Sequence, residues 1–346
     1  MTLRALLPCL SSVTLPMFFV VPMMSLAAAP RASSGSARGL LLVANKGDQT
    51  VGIIDPSAGR EIATIKETGF TVHELVALPN GRIAYAPIYG NSGVGSPGTN
   101  GRTIDIINIP ERRIVHVIDL GRGERPHCIR YNPRDGLLYV TAEITDSVVV
   151  IDPRTNRVVA TIPTGQPQSH MLALTHNGFW GFTANVGPGT VSVLNLRTRK
   201  VAAVIPVARE IQRISVSMND RWAFTSDQHH PRLAVIDTRT RKIARWINLP
   251  GIGYGTTPTP DGKDLLITII NKDEVAVLNL QRMKVVRTIP VPHAPQEIVV
   301  RPDGRAAYVS CSQTRKVAVI NLKTWKVEKL IPAGRNVDGM AWASPS

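Results

Sequence analysis

The chain has 346 residues, 43% of them apolar and 5% aromatic, and carries a formal net charge of +15 with a pI near 10.2. That length is large for one ordinary domain but normal for one closed ring of repeats. Only three cysteines are present, and no stretch after the first thirty residues approaches the ~20 apolar residues a membrane span needs, so a cross-linked scaffold and an internal membrane helix are both set aside.

In chain order, "MTLRALLPCLSSVTLPMFFVVPMMSLAAAP" has an early cation, Arg4, then an apolar stretch, then small residues. This pattern reads as a signal peptide over residues 1–29, with "Ser25-Leu26-Ala27" suiting cleavage near 27–29. Cys9 falls inside it. The Ser/Ala-rich segment Pro30–Arg38 reads as a flexible lead-in, and residues 39–346 as a single domain. The expected compartment is periplasmic or secreted, with no transmembrane anchor after processing.

From Gly39 onward one unit of roughly 42 residues recurs seven times, as a comparison of Leu138–Gly165 with Ala307–Gly334 makes plain. An apolar strand, a polar loop, a strand ending in Asp or Asn, a basic turn and a strand ending near Pro follow in that order. A further strand precedes each copy: "HELVALP", "HCIRYNP", "HMLALTH", "QRISVSM", "YGTTPTP", "QEIVVRP" and "DGMAWAS". Short β-branched strands bounded by turns such as "PDGR" (Pro302–Arg305) favour a propeller over a helical solenoid. "GLLLVAN" (Gly39–Asn45) is a second strand with no first, and "VDGMAWAS" is a first strand with no second. We therefore expect an all-β, seven-bladed β-propeller of four-stranded antiparallel blades, its ring closed by the C-terminal strand pairing with the N-terminal blade. The first strand of each unit should be innermost and rich in small residues. Pro258 fits there because that strand has one unpaired edge. Cys128 and Cys311 fall in blades that are not neighbours and should not pair.

The motifs "YVTA" (Tyr139–Ala142), "FTAN" (Phe182–Asn185), "YVSC" (Tyr308–Cys311) and Val148–Pro167 resemble the YVTN-repeat β-propeller family over nearly all of Gly39–Ala343. The resemblance implies a secreted or periplasmic seven-bladed propeller, usually without an assigned reaction. Related propellers include lactonases and the cofactor-bearing propellers of denitrifying enzymes. The chain matches the motif of neither in full.

The residues opening the inner strands, His73, His127, His170, Gln212, Tyr254, Gln296 and Asp338, should ring the mouth of the channel. Three consecutive blades supply His there. Imidazole is the commonest metal ligand, so His73, His127 and His170 are candidates for a divalent ion, against the alternative of a polar, water-holding rim. Loops between second and third strands bring Glu143 and Asp227 to the same mouth. "DQHHP" (Asp227–Pro231) looks like a metal cluster, but adjacent histidines point apart. The insertion Tyr89–Gly101, rich in Gly, Ser, Asn and Thr, breaks the period beside His73 and His127 and reads either as a flexible lid or as a tolerated surface insertion. No G-x-S-x-G, Walker loop or C-x-x-C-H is present, so no catalytic residue is assigned. Carboxylates recurring at strand ends, Asp55, Asp152 and Asp237, mark turns.

The turns carry the charge. Arg199, Lys200, Arg239, Arg241, Lys242, Lys323 and Lys326 belong to one face, which suits an anionic polymer such as nucleic acid or lipopolysaccharide, or simply keeps the protein soluble. The favoured reading is a non-catalytic, monomeric module that binds a small molecule or protein at the channel mouth, with no cofactor expected. The alternatives are a metal-assisted, lactonase-like hydrolase at the same mouth and a binder of anionic polymers.

Overall fold

The structure, a computed structural model, describes residues 1–2 and 39–345. The leader, its cleavage site, Cys9 and the lead-in Pro30–Arg38 lie outside the described residues. From Leu40 the chain forms seven four-stranded antiparallel sheets. Blade 1 holds Leu40–Asn45, Thr50–Asp55 and Arg60–Lys66, with Val337–Ala343 as its inner strand. The inner strands of blades 2 to 7 are Val76–Ala77, Pro126–Asn132, Ser169–Leu174, Ile211–Val216, Gly253–Pro258 and Pro295–Val300. Leu40 pairs with Ala343 and Asn45 with Val337, so the two ends of the domain complete one blade and close the ring.

Burial follows from blade stacking. Middle strands such as Ser147–Asp152 are covered on both faces by neighbouring blades and read as continuous apolar runs. Outermost strands such as Arg157–Pro163 keep charge and solvent on most positions. Cys128 and Cys311 are both free and buried, as expected.

Two repeated devices build each blade. The Asp or Asn ending each third strand accepts backbone N–H bonds from the turn that follows. Asp152 Oδ1 takes Arg154 N at 2.9 Å, and Asp237 Oδ1 takes Arg239 N and Thr240 N at 3.0 and 2.9 Å. These carboxylates form turns, as their recurrence indicates. The turn then passes through one left-handed residue, Gly59 in blade 1 but Arg112, Asn156, Arg199, Arg241, Met283 and Trp325 elsewhere. That residue sets the bulge with which each outer strand begins.

The second device is the Thr of the YVT-type strand. Inner strands bulge after their first paired residue, which leaves a backbone N–H unmatched. Thr141 Oγ1 accepts Cys128 N at 2.9 Å and donates to His170 O in the next blade at 2.7 Å. Thr268 repeats this with Gly255 N and Gln296 O at 2.6 and 2.9 Å. One hydroxyl thus satisfies a bulge, joins two blades and fixes the backbone of a mouth residue.

Inner strands are not uniformly small. Gly255 and Gly339 meet the carbonyls of Gln296 and His73 so closely that a Cβ there would collide. Arg213 and Glu297, however, are charged side chains in these strands, Glu74 lies just ahead of another, and Arg213 pairs with both carboxyls across the axis.

Candidate functional site at the channel mouth

Each predicted mouth residue directly follows the residue that pairs its inner strand to the second strand. Those pairs are Val72–Ile88, Pro126–Ala142, Ser169–Asn185, Ile211–Asp227, Gly253–Ile269, Pro295–Cys311 and Val337–Asn45. His73, His127, His170, Gln212, Tyr254, Gln296 and Asp338 are therefore structurally equivalent. His127 and His170 are 3% and 4% exposed, Asp338 is buried, and the other four are half-buried.

The histidine side of the ring is a compact aromatic cluster. The rings of His127 and His170 stack at 3.6 Å between centroids and 30° between planes. His73 meets His127 edge-on at 5.2 Å. Tyr89, the first residue of the insertion, lies 4.6 Å from His73 and 5.1 Å from His127. Burial holds His73 and His127 well below the ordinary imidazole range, and the nearby charges of Lys46 at His73 and His170 at His127 push the same way. Both rings are neutral at pH 7. His127 Nδ1 is buried and has no hydrogen-bond partner.

Glu143 anchors the cluster. Its Oε2 accepts the Tyr89 hydroxyl and His170 Nδ1, the latter at 3.3 Å. Its Oε1 accepts Gly95 N at 3.0 Å and Arg125 Nη1 at 3.4 Å. Burial alone would raise the carboxyl. The hydrogen bonds from His170, Tyr89 and Gly95 outweigh burial and hold it down to about 2. Arg125 also grips the insertion, donating to Asn100 Oδ1 at 2.6 Å and to Ser96 O at 2.8 Å. The segment Tyr89–Gly101 sits beside His73 and His127 as expected, but as a strapped cover rather than a free lid.

The opposite side of the ring is ionic. Arg213 donates to Glu74 Oε1, Glu297 Oε2 and Asp338 Oδ1 at 2.7, 3.0 and 2.8 Å. Asp338 also takes Lys46 Nζ at 3.1 Å, and Arg130 lies 3.6 Å from Glu74. Burial works to raise Asp338, yet Lys46 and Arg213 hold it down to about 2. Burial, with repulsion from Glu74, pushes Glu297 up to about 8. Tyr254 places its ring over the Arg213 guanidinium, 5.2 Å from centroid to Cζ.

Asp227 is committed to its own loop. It accepts His229 N, His230 Nδ1 and Arg232 Nε at 2.9, 3.1 and 2.9 Å. His229 turns away to Glu210 at 3.1 Å, so the adjacent histidines do point apart. The three mouth imidazoles are the side chains best placed to hold an ion, and neutrality suits His73 and His127 to that role. His127 and His170 stack, however, and His73 meets His127 edge-on. Among the described residues no group of three or more His, Cys, Asp or Glu side chains is arranged to hold a metal ion. On the turn face, Arg199, Lys200, Arg239, Lys242, Lys323 and Lys326 are exposed. Arg241 is half-buried, stacked over Trp180 of the adjacent blade at 4.7 Å.

Tyr89, Glu74, Arg213 and Glu297 were missed by sequence reasoning. The last three carried a signal: a charge immediately after a mouth residue, where the repeat is most crowded.

Fold and channel together define a seven-bladed β-propeller with a half-aromatic, half-ionic hub. No family model matches the chain, and no curated protein matches it either. Solved structures do. Hydrazine synthase of Kuenenia stuttgartiensis is similar with a TM-score of 0.70 and 17% identity, over 82% of this chain and 92% of that one. A functionally unknown protein from Desulfotomaculum acetoxidans has a TM-score of 0.74 and 11% identity, over 89% and 99%. At such identities the likeness is one of fold. Among the described residues no helix is long and apolar enough to cross a membrane.

Proposed function

We propose that this chain is a secreted or periplasmic, non-catalytic binding propeller of the YVTN-repeat kind. Its ligand site is the histidine side of the channel mouth. The observation that supports this reading is His127 Nδ1: a neutral, deeply buried nitrogen without a partner, next to a strapped cover. A buried polar atom left unmatched costs about 1–3 kcal/mol, and a ligand hydrogen bond removes that cost. Glu143 is fully engaged and Tyr89 donates to it, so within this cluster His127 Nδ1 is the buried polar atom left to recognise a guest. The guest is small and presents one hydrogen-bonding group beside a flat or apolar body that the rings can cover.

The reading is tested by screening a fragment library by ligand-observed NMR against wild type and His127→Phe, with Zn²⁺ and Cu²⁺ titrated separately. Fragments that bind wild type and not the variant support a binding site at this nitrogen. A hit list shared equally by both proteins would remove it. One equivalent of tightly bound metal, lost in the variant, would replace it with the metal-assisted reading.

A further inference from the structure

The channel has a second open end. On the face where the first-to-second strand turns emerge, a cavity of about 460 Å³ enters the hub from below. This volume lies within the range of small-molecule sites. The walls come from the inner strands of blades 3 to 7 and are mostly apolar, with Met171, Ala173, Ile214 and Val216 among them. The closed end carries the charge: Arg130, Arg213 and Glu297 line it. Arg213 separates the two halves of the channel, since it lines this cavity and also bonds Asp338 at the upper mouth.

The charge balance at the closed end decides what fits. Arg213, Arg130 and Lys46 supply three positive charges to the hub network, and Glu74, Glu297 and Asp338 are its three carboxyls. Glu297, pushed up to about 8, is largely protonated at neutral pH. One positive charge is therefore left uncompensated. Arg213 spends Nη1 and Nη2 on three carboxyl groups, and its Nε is buried without a partner. Arg130 is the less committed cation: its side chain is 28% exposed, its ion-pair partner Glu74 is 3.6 Å away, and Nη1 donates to its own strand at Ile129 O.

We propose that this lower cavity is a second binding site, for a small amphiphilic carboxylate whose charged head meets Arg130 and whose aliphatic body lies along Met171, Ala173, Ile214 and Val216. A guanidinium prefers a carboxylate or phosphate partner because its fork of donors matches two oxygens. The apolar walls below it select a hydrocarbon body over a second charge. The site is separate from the one at His127, because the Arg213 layer lies between them.

Decanoate is the probe. Isothermal titration calorimetry at pH 7 should show one saturable site on wild type. Decylammonium, with the same chain and the opposite charge, should not bind. Arg130→Met should weaken decanoate at least tenfold, and Ala173→Leu, which narrows the cavity without touching the charged layer, should weaken it similarly. Thermal melts confirm that both variants fold, and Ala173→Leu alone suffices should Arg130→Met not fold. His127→Phe should leave decanoate binding unchanged, so that the upper site can fail while the lower one stands. Absence of saturable decanoate binding, equal binding of decylammonium, or an affinity untouched by Ala173→Leu would each overturn the proposal.

Discussion

Replacing Arg213 by Met removes the cation that three inner strands share. In the native hub its guanidinium is 5% exposed and lies 2.7–3.0 Å from carboxyl oxygens of blades 1, 2 and 7. Breaking a buried ion pair from one side typically costs 3–5 kcal/mol, because the partner charge is stranded away from water. Two partners keep other support here: Asp338 retains Lys46 at 3.1 Å, and Glu74 retains Arg130 at 3.6 Å. Glu297 is already pushed toward its neutral form. We therefore expect a loss near the lower end, about 3 kcal/mol. At roughly 2 °C per kcal/mol for a domain of this size, Tm falls by about 6 °C. Differential scanning calorimetry at pH 7 gives the number. The double variant Arg213→Met/Glu297→Gln, which strands one carboxyl fewer, should recover part of it. A single variant that melts within about 1 °C of wild type would refute the argument, because the hub carboxyls would then not depend on this cation.

Stability should also fall with rising pH between about 7 and 9, above the range in which His73 and His127, kept neutral by burial, contribute in the opposite sense. Glu297 is pushed up to about 8 by burial and by Glu74, and Glu67 likewise by burial and by Asp105, although the Val72 N–H bond opposes it. Carboxyls raised in the folded state contribute stability that is complete below their unfolded value near 4.5 and is lost as pH rises through 8. Asp338 and Glu143, held near 2, contribute stability above about pH 4.5 that is constant across this window. A Tm series over that range should slope downward and flatten in Glu67→Gln/Glu297→Gln; an upward slope would contradict the assignment. Thr141→Val keeps the side-chain shape but leaves Cys128 N and His170 O unmatched in a fully buried position. It should cost about 1–3 kcal/mol, read as a lower urea midpoint with an unchanged m-value. An unchanged midpoint would count against the hydroxyl's bridging role.

The fold was legible because every blade repeats the same physical demands. Turn-forming Asp and Asn residues, β-branched middle strands and the unmatched ends Gly39–Asn45 and Asp338–Ala343 all point to one closed ring. The seven mouth residues were also legible, since equivalence in a repeat survives into equivalence in space. What lay beyond reach was direction and partnership. Nothing in the spacing of His127 and His170 says that their rings stack, and nothing around Tyr89 says that its hydroxyl finds Glu143. The strapping of the insertion by Arg125 depends on loop geometry, not on period. Glu74, Arg213 and Glu297 were hidden for a different reason. An inner strand looks apolar or small when it is averaged over seven copies, and these three charges neutralise one another only across the axis, between blades far apart in sequence.

Blade 1 is assembled from both ends of the ring, with consequences for biosynthesis. On a ribosome, Leu40–Asn45 emerges before the other strands of the ring and must wait for Val337–Ala343, the ring's final strand, before its open edge is covered. Throughout elongation the nascent protein displays that edge, and the hub lacks Asp338, one of Arg213's three partners. A holdase would suit such a chain, because early commitment to partial structure gains little until the final strand arrives.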